Sequence, residues 1–231
     1  MKILSIESSA TSASVAVCDN KKLLCEFYTN VGLTHSQTIM PMVENSLKIA
    51  DIDINSIDIF AVSYGPGSFT GIRIGISSIK GMADALKKPC FAVSTLETIA
   101  YPFIDFNGVV ISVMDARCNQ VYTASFENGK RLCSDDAILI DELSDRIKNY
   151  KKDVILCGDG AEMCYNILKE KNDGLFLAPV TNRFQKASSV AFLAEEKLLS
   201  FEKTVSASEL LPLYLRLPQA ERELKLKENK K

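Results

Sequence analysis

The chain has 231 residues, of which 47% are hydrophobic, and its formal net charge is −2. This composition predicts a globular protein of two modest lobes. Because 27 lysines and arginines are outnumbered by 29 acidic residues, it argues against a protein that grips nucleic acid on its own. There is no apolar run of about 18 residues, the length that crosses a bilayer, and no signal peptide, so we expect a cytoplasmic protein without membrane contact.

The first third of the chain predicts a β-hairpin followed by a third strand and a helix. An apolar strand over residues 2–6 ends at Glu7, and a second strand over residues 14–17 leads into a tight turn. An amphipathic helix is predicted over residues 34–50, and Pro41 either kinks it or marks its effective start.

Residues 59–75 carry the strongest local signal, because an apolar strand passes into a helix through a glycine turn. The strand, residues 59–62, is followed by Gly65-Pro66-Gly67. Ser68 or Thr70 is expected to cap the helix that follows over residues 70–87.

This glycine-rich helix has two faces that need to be buried. One stripe is apolar and is expected to face the sheet. The second stripe is made of small residues and one methionine: Gly71, Gly75, Ser78, Met82 and Ala85. It predicts either close packing inside the chain, against residues 34–50, or a subunit interface.

The second half of the chain repeats the plan of the first. Residues 110–116 match residues 2–8 in pattern, and residues 127–133 match residues 19–25 in the same register. A later apolar strand again ends in a glycine turn, Gly158-Asp159-Gly160.

The duplication divides the chain into two predicted lobes, residues 1–100 and 101–217. The helix predicted over residues 187–199 is expected to cross back onto the first lobe. Residues 218–231 are highly charged and are interpreted as a flexible tail.

Two lobes that each open with a hairpin and an acidic residue resemble the two-lobed actin-like, hexokinase-like (ASKHA) ATPase domains, an α/β fold with duplicated ribonuclease-H-like lobes. Four segments narrow this to a close resemblance to the bacterial TsaB (YeaZ) family: Ile6-Glu7-Ser8-Ser9, Tyr64-Gly65-Pro66-Gly67-Ser68-Phe69-Thr70-Gly71-Ile72-Arg73-Ile74-Gly75, Asp115-Ala116-Arg117 and Pro212-Leu213-Tyr214-Leu215-Arg216. They span nearly the whole chain.

The resemblance implies a non-catalytic subunit of the complex that installs threonylcarbamoyl on the adenosine beside the anticodon of certain tRNAs. Its expected partners are the catalytic paralogue TsaD and the ATPase TsaE, and tRNA is reached only through the complex. When isolated, the subunit is expected to pair with itself as a homodimer.

The residues themselves argue that a metal site has been lost. The catalytic paralogue carries a segment of the type V-N-H-L-E-G-H-I, whose two histidines bind a metal. Here Thr95 and Ile99 stand at those positions, and neither side chain offers a nitrogen donor. His35 is the only histidine, and the seven cysteines show no C-x-x-C spacing. We therefore expect no metal site and no catalytic residue. This also argues against a metallopeptidase, the third function considered.

Nucleotide binding is left open. Glu7 and Asp115 occupy positions where actin-like ATPases keep carboxylates, and Gly158, Asp159 and Gly160 could approach a nucleotide closely. The first hairpin, however, has no glycine to wrap a phosphate, and no P-loop is present. Both carboxylates could instead cap turn amides. Weak ATP or ADP binding remains one alternative, and an ATP-dependent kinase or hydrolase of a small molecule is the alternative function.

The leading hypothesis places the function at a surface formed by helices 34–50 and 70–87, which would pair with the equivalent helices of a related subunit. Such a four-helix contact is expected to bury about 1,600 Å² in total. The predicted interface consists of Ile39, Met40, Val43, Leu47, Gly71, Gly75, Ser78, Met82 and Ala85.

Overall fold

The computed structural model describes residues 1–32 and 34–216 and shows an α/β protein with two sheets. The charged tail predicted at residues 218–231 lies outside the described residues. Within the described ranges, no helix is both long and apolar enough to cross a membrane.

The first sheet has five strands in the order β3-β2-β1-β4-β5. Strand β1 is antiparallel to β2 and parallel to β4. Asn20 and Lys21 form the tight turn between β2 and β3, and both have positive φ, as the twist of a two-residue hairpin requires. The strands are β1 (Lys2–Glu7), β2 (Ala13–Asp19), β3 (Lys22–Thr29), β4 (Ile59–Gly65) and β5 (Cys90–Ser94).

Helices α1 (His35–Ala50) and α2 (Phe69–Leu86) pack on one face of this sheet, with a short 3-10 turn, Ile54–Ser56, after α1. Helix α1 begins six residues before Pro41 and runs through it. Ser68 is the N-cap of α2, because its hydroxyl accepts a hydrogen bond from Gly71 N at 3.2 Å. The core below the two helices is built from Leu4, Ile6, Ile39, Val43, Phe60, Val62, Ile72, Ile76 and Ile79.

The second sheet repeats the strand order of the first, β11-β10-β6-β7-β8, and β9 lies beside β8 on the same edge of β7. The turn at Asn128 and Gly129 again has two positive φ angles. The predicted duplication is therefore confirmed. The elements are β6 (Val109–Asp115), β7 (Gln120–Glu127), β8 (Lys130–Arg131), β9 (Asp136–Leu139), α4 (Ile140–Tyr150), β10 (Val154–Cys157), α5 (Ala161–Leu168) and β11 (Leu175–Leu177).

Each half of the molecule has one helix that packs on the sheet of the other half. Helix α3 (Thr95–Ala100), followed by the 3-10 turn Tyr101–Phe103, packs on the second sheet, whereas α6 (Ala187–Leu199) crosses back onto the first sheet, as predicted. A strand serine anchors each helix: Ser112 donates to Leu96 O at 2.6 Å, and Ser5 donates to Ala187 O at 2.7 Å.

The end of the described chain returns along the first half toward the gap between the sheets. Val205 pairs with Cys90 of β5, and Leu210 is buried in the core below α1 and α2, which we call the first core. Leu213 N then donates to Tyr64 O at 2.8 Å. Residues 213–216, which we call the C-terminal strap, end beside the second half of the molecule.

Candidate functional site

A cleft of about 670 Å³ lies between the two halves, at the carboxyl ends of β1 and β6. Ligands of α/β proteins usually bind at such strand ends. The starts of α1 and α2, the two β-hairpins and the C-terminal strap form its walls. The lining residues that bear on the predicted sites are His35, Ser68, Phe69, Asp115, Arg117, Asp159, Tyr214 and Arg216.

Glu7 does not line this cleft. Its side chain is completely buried, and Oε1 accepts hydrogen bonds from Ser9 N, at 2.6 Å, and from the Ser9 hydroxyl. The other oxygen, Oε2, has no partner among the described residues. Burial raises the pKa of Glu7, against the lowering effect of the hydrogen bonds from Ser9. Glu7 therefore caps the turn of the first hairpin, as the alternative interpretation expected.

Asp115 is exposed on the cleft wall and makes the equivalent turn contact. Its Oδ1 accepts from Arg117 N at 2.7 Å, two residues ahead, as Glu7 does from Ser9. The three consecutive residues Arg117, Cys118 and Asn119 of this turn all have positive φ. Left-handed geometry is unfavourable for arginine and cysteine, whereas asparagine tolerates it, so Arg117 and Cys118 are the strained positions of this loop beside the cleft.

Asp159 joins Asp115 at the cleft. Gln185 Nε2 donates to Asp159 Oδ1 at 2.8 Å, and burial raises the pKa of Asp159 to about 6, with Asp115 adding to the rise. Gly158 and Gly160 are required by the chain itself. A Cβ at Gly158 would collide with Val113 O, and a Cβ at Gly160 would lie 2.8 Å from Asp115 N. Of the predicted carboxylates, the structure brings Asp115 and Asp159 together and leaves Glu7 apart.

Thr95 and Ile99 lie one turn apart on α3 and are 0% and 1% exposed. The Thr95 hydroxyl has no hydrogen-bond partner among the described residues. No group of three histidine, cysteine, aspartate or glutamate side chains in the described ranges could hold a metal ion. His35 is engaged elsewhere, with Nε2 2.8 Å from Ala10 O. A hydroxyl and an alkyl group on this face do not fit a metal that prefers imidazole ligands.

Glu97, between these two residues, takes part in a charged cluster that sequence reasoning missed. Its carboxylate lies 3.1 Å from Lys197 of α6 and 3.6 Å from Arg131 of β8. Arg131 also pairs with Asp135, which accepts from the Ser94 hydroxyl at 2.6 Å. The cluster connects elements of both halves. Because its members are far apart in sequence, no local sequence pattern indicates it.

The structure corrects the predicted interface on α2. Gly71 and Gly75 are buried against the chain's own residues. A Cβ at Gly71 would collide with Ser8 O and lie 3.0 Å from His35, and one at Gly75 would collide with the Ser8 hydroxyl. Ser8 in turn donates to Gly71 O at 2.9 Å. Internal packing, the other interpretation, therefore accounts for Gly71 and Gly75, although of the expected residues 34–50 only His35 lies against them and their main contact is Ser8.

Three further members of the predicted interface also lie in the first core. Ile39 is 1% exposed, Val43 is 3% exposed and Met82 is 8% exposed. A core-facing helix buries an arc wider than one stripe, which explains why both stripes of α2 contribute. Of the remaining members, Met40 and Ala85 are exposed, and Leu47 and Ser78 are half-buried.

A different row of α2 residues faces outward. Arg73, Ser77, Gly81 and Ala85, which we call the outer ridge, follow at four-residue spacing and are all exposed. A Cβ at Gly81 would meet no atom within 4 Å. Glycine in a helix interior costs about 1 kcal/mol relative to alanine. Within the described chain nothing requires this glycine. The four-residue spacing of Ser77, Gly81 and Ala85 was the sequence signal that could have indicated this outward row of small residues.

Sequence comparison finds a family model and relatives that match nearly the whole chain. A family model described as TsaD, tRNA N6-adenosine threonylcarbamoyltransferase, matches residues 29–224. The "tRNA threonylcarbamoyladenosine biosynthesis protein TsaB" of Bacillus subtilis is 30% identical over 229 residues, covering 96% of each chain.

Structure comparison agrees. The structure of "YeaZ from Pseudomonas aeruginosa" has a TM-score of 0.76 and 25% identity, and the match covers 93% of this chain and 99% of that one. A ROK hexokinase from Thermus thermophilus has a TM-score of 0.52 and 11% identity, over 87% of this chain and 100% of the hexokinase. The second likeness shows the fold alone, and it confirms the predicted hexokinase-like architecture.

Proposed function

Because the chain belongs to the TsaB family of tRNA threonylcarbamoyladenosine biosynthesis proteins, we propose that it is a non-catalytic subunit of the modification complex. Its partners are a TsaD-like catalytic paralogue and a TsaE-like ATPase, and tRNA is reached only through that complex. The observation that carries the proposal is that Thr95 and Ile99, which the motif resemblance aligns with the two histidines of the paralogue, are both buried.

The chemistry of α3 supports this division of labour. A transferase that activates its substrate with a bound metal needs nitrogen or carboxylate ligands around an open coordination position. Thr95 and Ile99 supply neither, and both are buried on α3, which packs on the second sheet. Glu97, the one charged residue between them, is held by Lys197 and Arg131. The reaction is therefore assigned to the companion subunit.

The proposed contact surface is the outer ridge together with the exposed side of α1, where Met40 is 46% exposed. Ser77, Gly81 and Ala85 project little beyond the backbone, so a partner helix could approach closely. Close approach of a partner helix would explain why glycine stands at position 81, which contacts within the described chain do not explain. The same surface is proposed to form the homodimer when the partner is missing, since a two-fold contact uses one patch twice.

Reconstitution tests the proposal. The chain is combined with the TsaD-like paralogue, the TsaE-like ATPase and tRNA, and modified adenosine is measured by mass spectrometry. We expect product only when the paralogue is present, and omission of this chain should reduce the product. Modification of tRNA by this chain alone would refute the non-catalytic role.

A variant pair tests the surface. Gly81→Leu should weaken binding to the paralogue by at least about tenfold in calorimetry, because a side chain fills the proposed approach. Asn149→Leu, at an exposed position of α4, adds the same apolar group elsewhere and should bind normally. Equal binding of wild type and Gly81→Leu would exclude the outer ridge as the contact.

The alternative function, an ATP-dependent kinase or hydrolase, has one observation in its favour. Asp115 and Asp159 lie together at the cleft, where they could hold Mg²⁺ for a nucleotide. Calorimetry with ATP and Mg²⁺ and a phosphate-release assay separate the two functions. Phosphate release by the lone chain that Asp115→Ala abolishes would favour the enzyme, whereas weak binding without release fits a vestigial nucleotide site.

A further inference from the structure

The guanidinium of Arg73, the first residue of the outer ridge, is held in a fixed position by two aromatic side chains. It lies 3.9 Å above the ring of Phe69, and its Nε donates to the Tyr214 hydroxyl at 2.7 Å. Phe69 and Tyr214 stack on each other with ring centroids 4.7 Å apart. The start of α2 and the C-terminal strap thus fix one arginine, although strap and helix are far apart in sequence.

This arrangement leaves the end of the guanidinium available. No carboxylate oxygen of the described residues lies within 4.0 Å of an Arg73 nitrogen. Arg131, Arg146 and Arg183, by contrast, are each paired with a carboxylate. Arg73 is exposed to solvent in the described part of the chain.

We propose that Arg73 is a preorganised receptor for a carboxylate side chain of the partner protein, bound end-on through both terminal amines. The inference rests on the proposed function, because it requires a partner that covers the outer ridge. Covering Arg73 removes its water, and a buried guanidinium without acceptors is costly. A carboxylate matches the two terminal amines in a planar, bidentate pair.

Two features favour a protein carboxylate over the phosphate of a nucleic acid. The chain has a formal net charge of −2, which opposes binding of a polyanion. The residues that continue the outer ridge, Ser77, Gly81 and Ala85, are small and uncharged, which suits a packed protein helix rather than a phosphate backbone. A single fixed arginine at the end of such a ridge gives an interface one specific polar contact.

The test measures binding of the full chain to the TsaD-like paralogue by calorimetry. Arg73→Lys keeps the charge and removes the two-pronged geometry, and we expect it to weaken binding by at least about tenfold. Tyr214→Phe removes only the hydroxyl that orients Nε, so a smaller loss is expected. Lys169→Gln, which removes another exposed cation that lies over an aromatic ring, is the matched control and should bind like wild type.

A charge swap identifies the partner group. Arg73→Glu should abolish binding, and replacement of one acidic residue of the paralogue by lysine should restore it. Melting temperatures of all variants are measured in parallel. Fluorescence anisotropy with labelled tRNA provides a separate probe for phosphate recognition.

The outcomes are distinct. If the wild-type chain does not bind the paralogue, the proposed function fails, whatever the state of Arg73. If the wild type binds and Arg73→Lys binds equally well, the carboxylate receptor is overturned and the proposed function stands. A lower melting temperature with unchanged affinity would mean that Arg73 only fastens the C-terminal strap. Binding of free tRNA that Arg73→Glu removes would assign the site to phosphate and overturn the carboxylate receptor.

Discussion

Two glycines of α2 should respond in opposite directions to the same substitution. Gly71→Ala adds a methyl group that collides with Ser8 O and reaches to 3.0 Å from His35. Backbone cannot move aside as a flexible side chain does, so overpacking should lower the free energy of unfolding by about 1–3 kcal/mol. Gly81→Ala adds a methyl group with no atom within 4 Å. The higher helix propensity of alanine should raise that free energy by up to about 1 kcal/mol.

Urea unfolding followed by circular dichroism measures both changes, at a protein concentration where the chain is monomeric. The same stabilisation should raise the melting temperature of Gly81→Ala by roughly 2–4 °C for a chain of this length. Gly75→Ala is an internal reference. Its methyl group would meet the Ser8 hydroxyl, which can rotate, and otherwise makes ordinary contacts with Ile6 at 3.4 Å and Val62 at 3.5 Å. Gly75→Ala should therefore lower the free energy of unfolding by less than Gly71→Ala does.

The refuting result is equally concrete. Destabilisation by Gly81→Ala in the monomer would mean that this glycine has a conformational role inside the chain, and its assignment to a partner surface would lose its basis. A neutral Gly71→Ala would mean that α2 does not lie against Ser8 as described. That second result would reopen the assignment of Gly71 to a partner surface.

The remaining predictions concern buried polar groups. Burial raises the folded-state pKa of Asp159 to about 6, above that of the unfolded chain. The free energy of unfolding therefore falls as the pH rises through that value, because the buried carboxyl group must ionise. Asp159→Asn should leave stability unchanged below about pH 4 and increase it by up to about 2–3 kcal/mol at pH 7.5, in urea unfolding at both pH values; equal effects at both would contradict the assigned titration. Thr95→Val removes an unpaired buried hydroxyl and should stabilise the chain by about 1 kcal/mol. Thr98→Val, its control, loses a 3.0 Å bond to Ser94 O and should destabilise it.

Much of the architecture could be predicted from the sequence because the two halves repeat one pattern. Strands with apolar runs, turns at Asn20 and Asn128, and the amphipathic α6 carry local signals that tertiary structure does not override. The turn-capping role of Glu7 also follows from local chemistry, since its partner Ser9 is two residues away.

The interface residues could not be predicted in the same way. Glycine carries no hydrophobic signal, so periodicity cannot separate an inward glycine such as Gly71 from an outward one such as Gly81. The difference depends on the position of Ser8, which lies on another element. The contact of Arg73 with Tyr214 also joins distant parts of the chain, and the family motifs that contain both residues gave no indication of it.

The exchange of α3 and α6 has a consequence for biosynthesis. The sheet face that contains Ile3 and Val93 is covered only when α6, which begins at Ala187, has been made. During translation, the amino-terminal half therefore exposes this hydrophobic sheet face until most of the polypeptide has left the ribosome. Such a partly folded chain is prone to aggregation. Native packing of that half must wait for the late helix, so the two halves reach maturity together, and a fragment that stops before residue 187 should depend on chaperones.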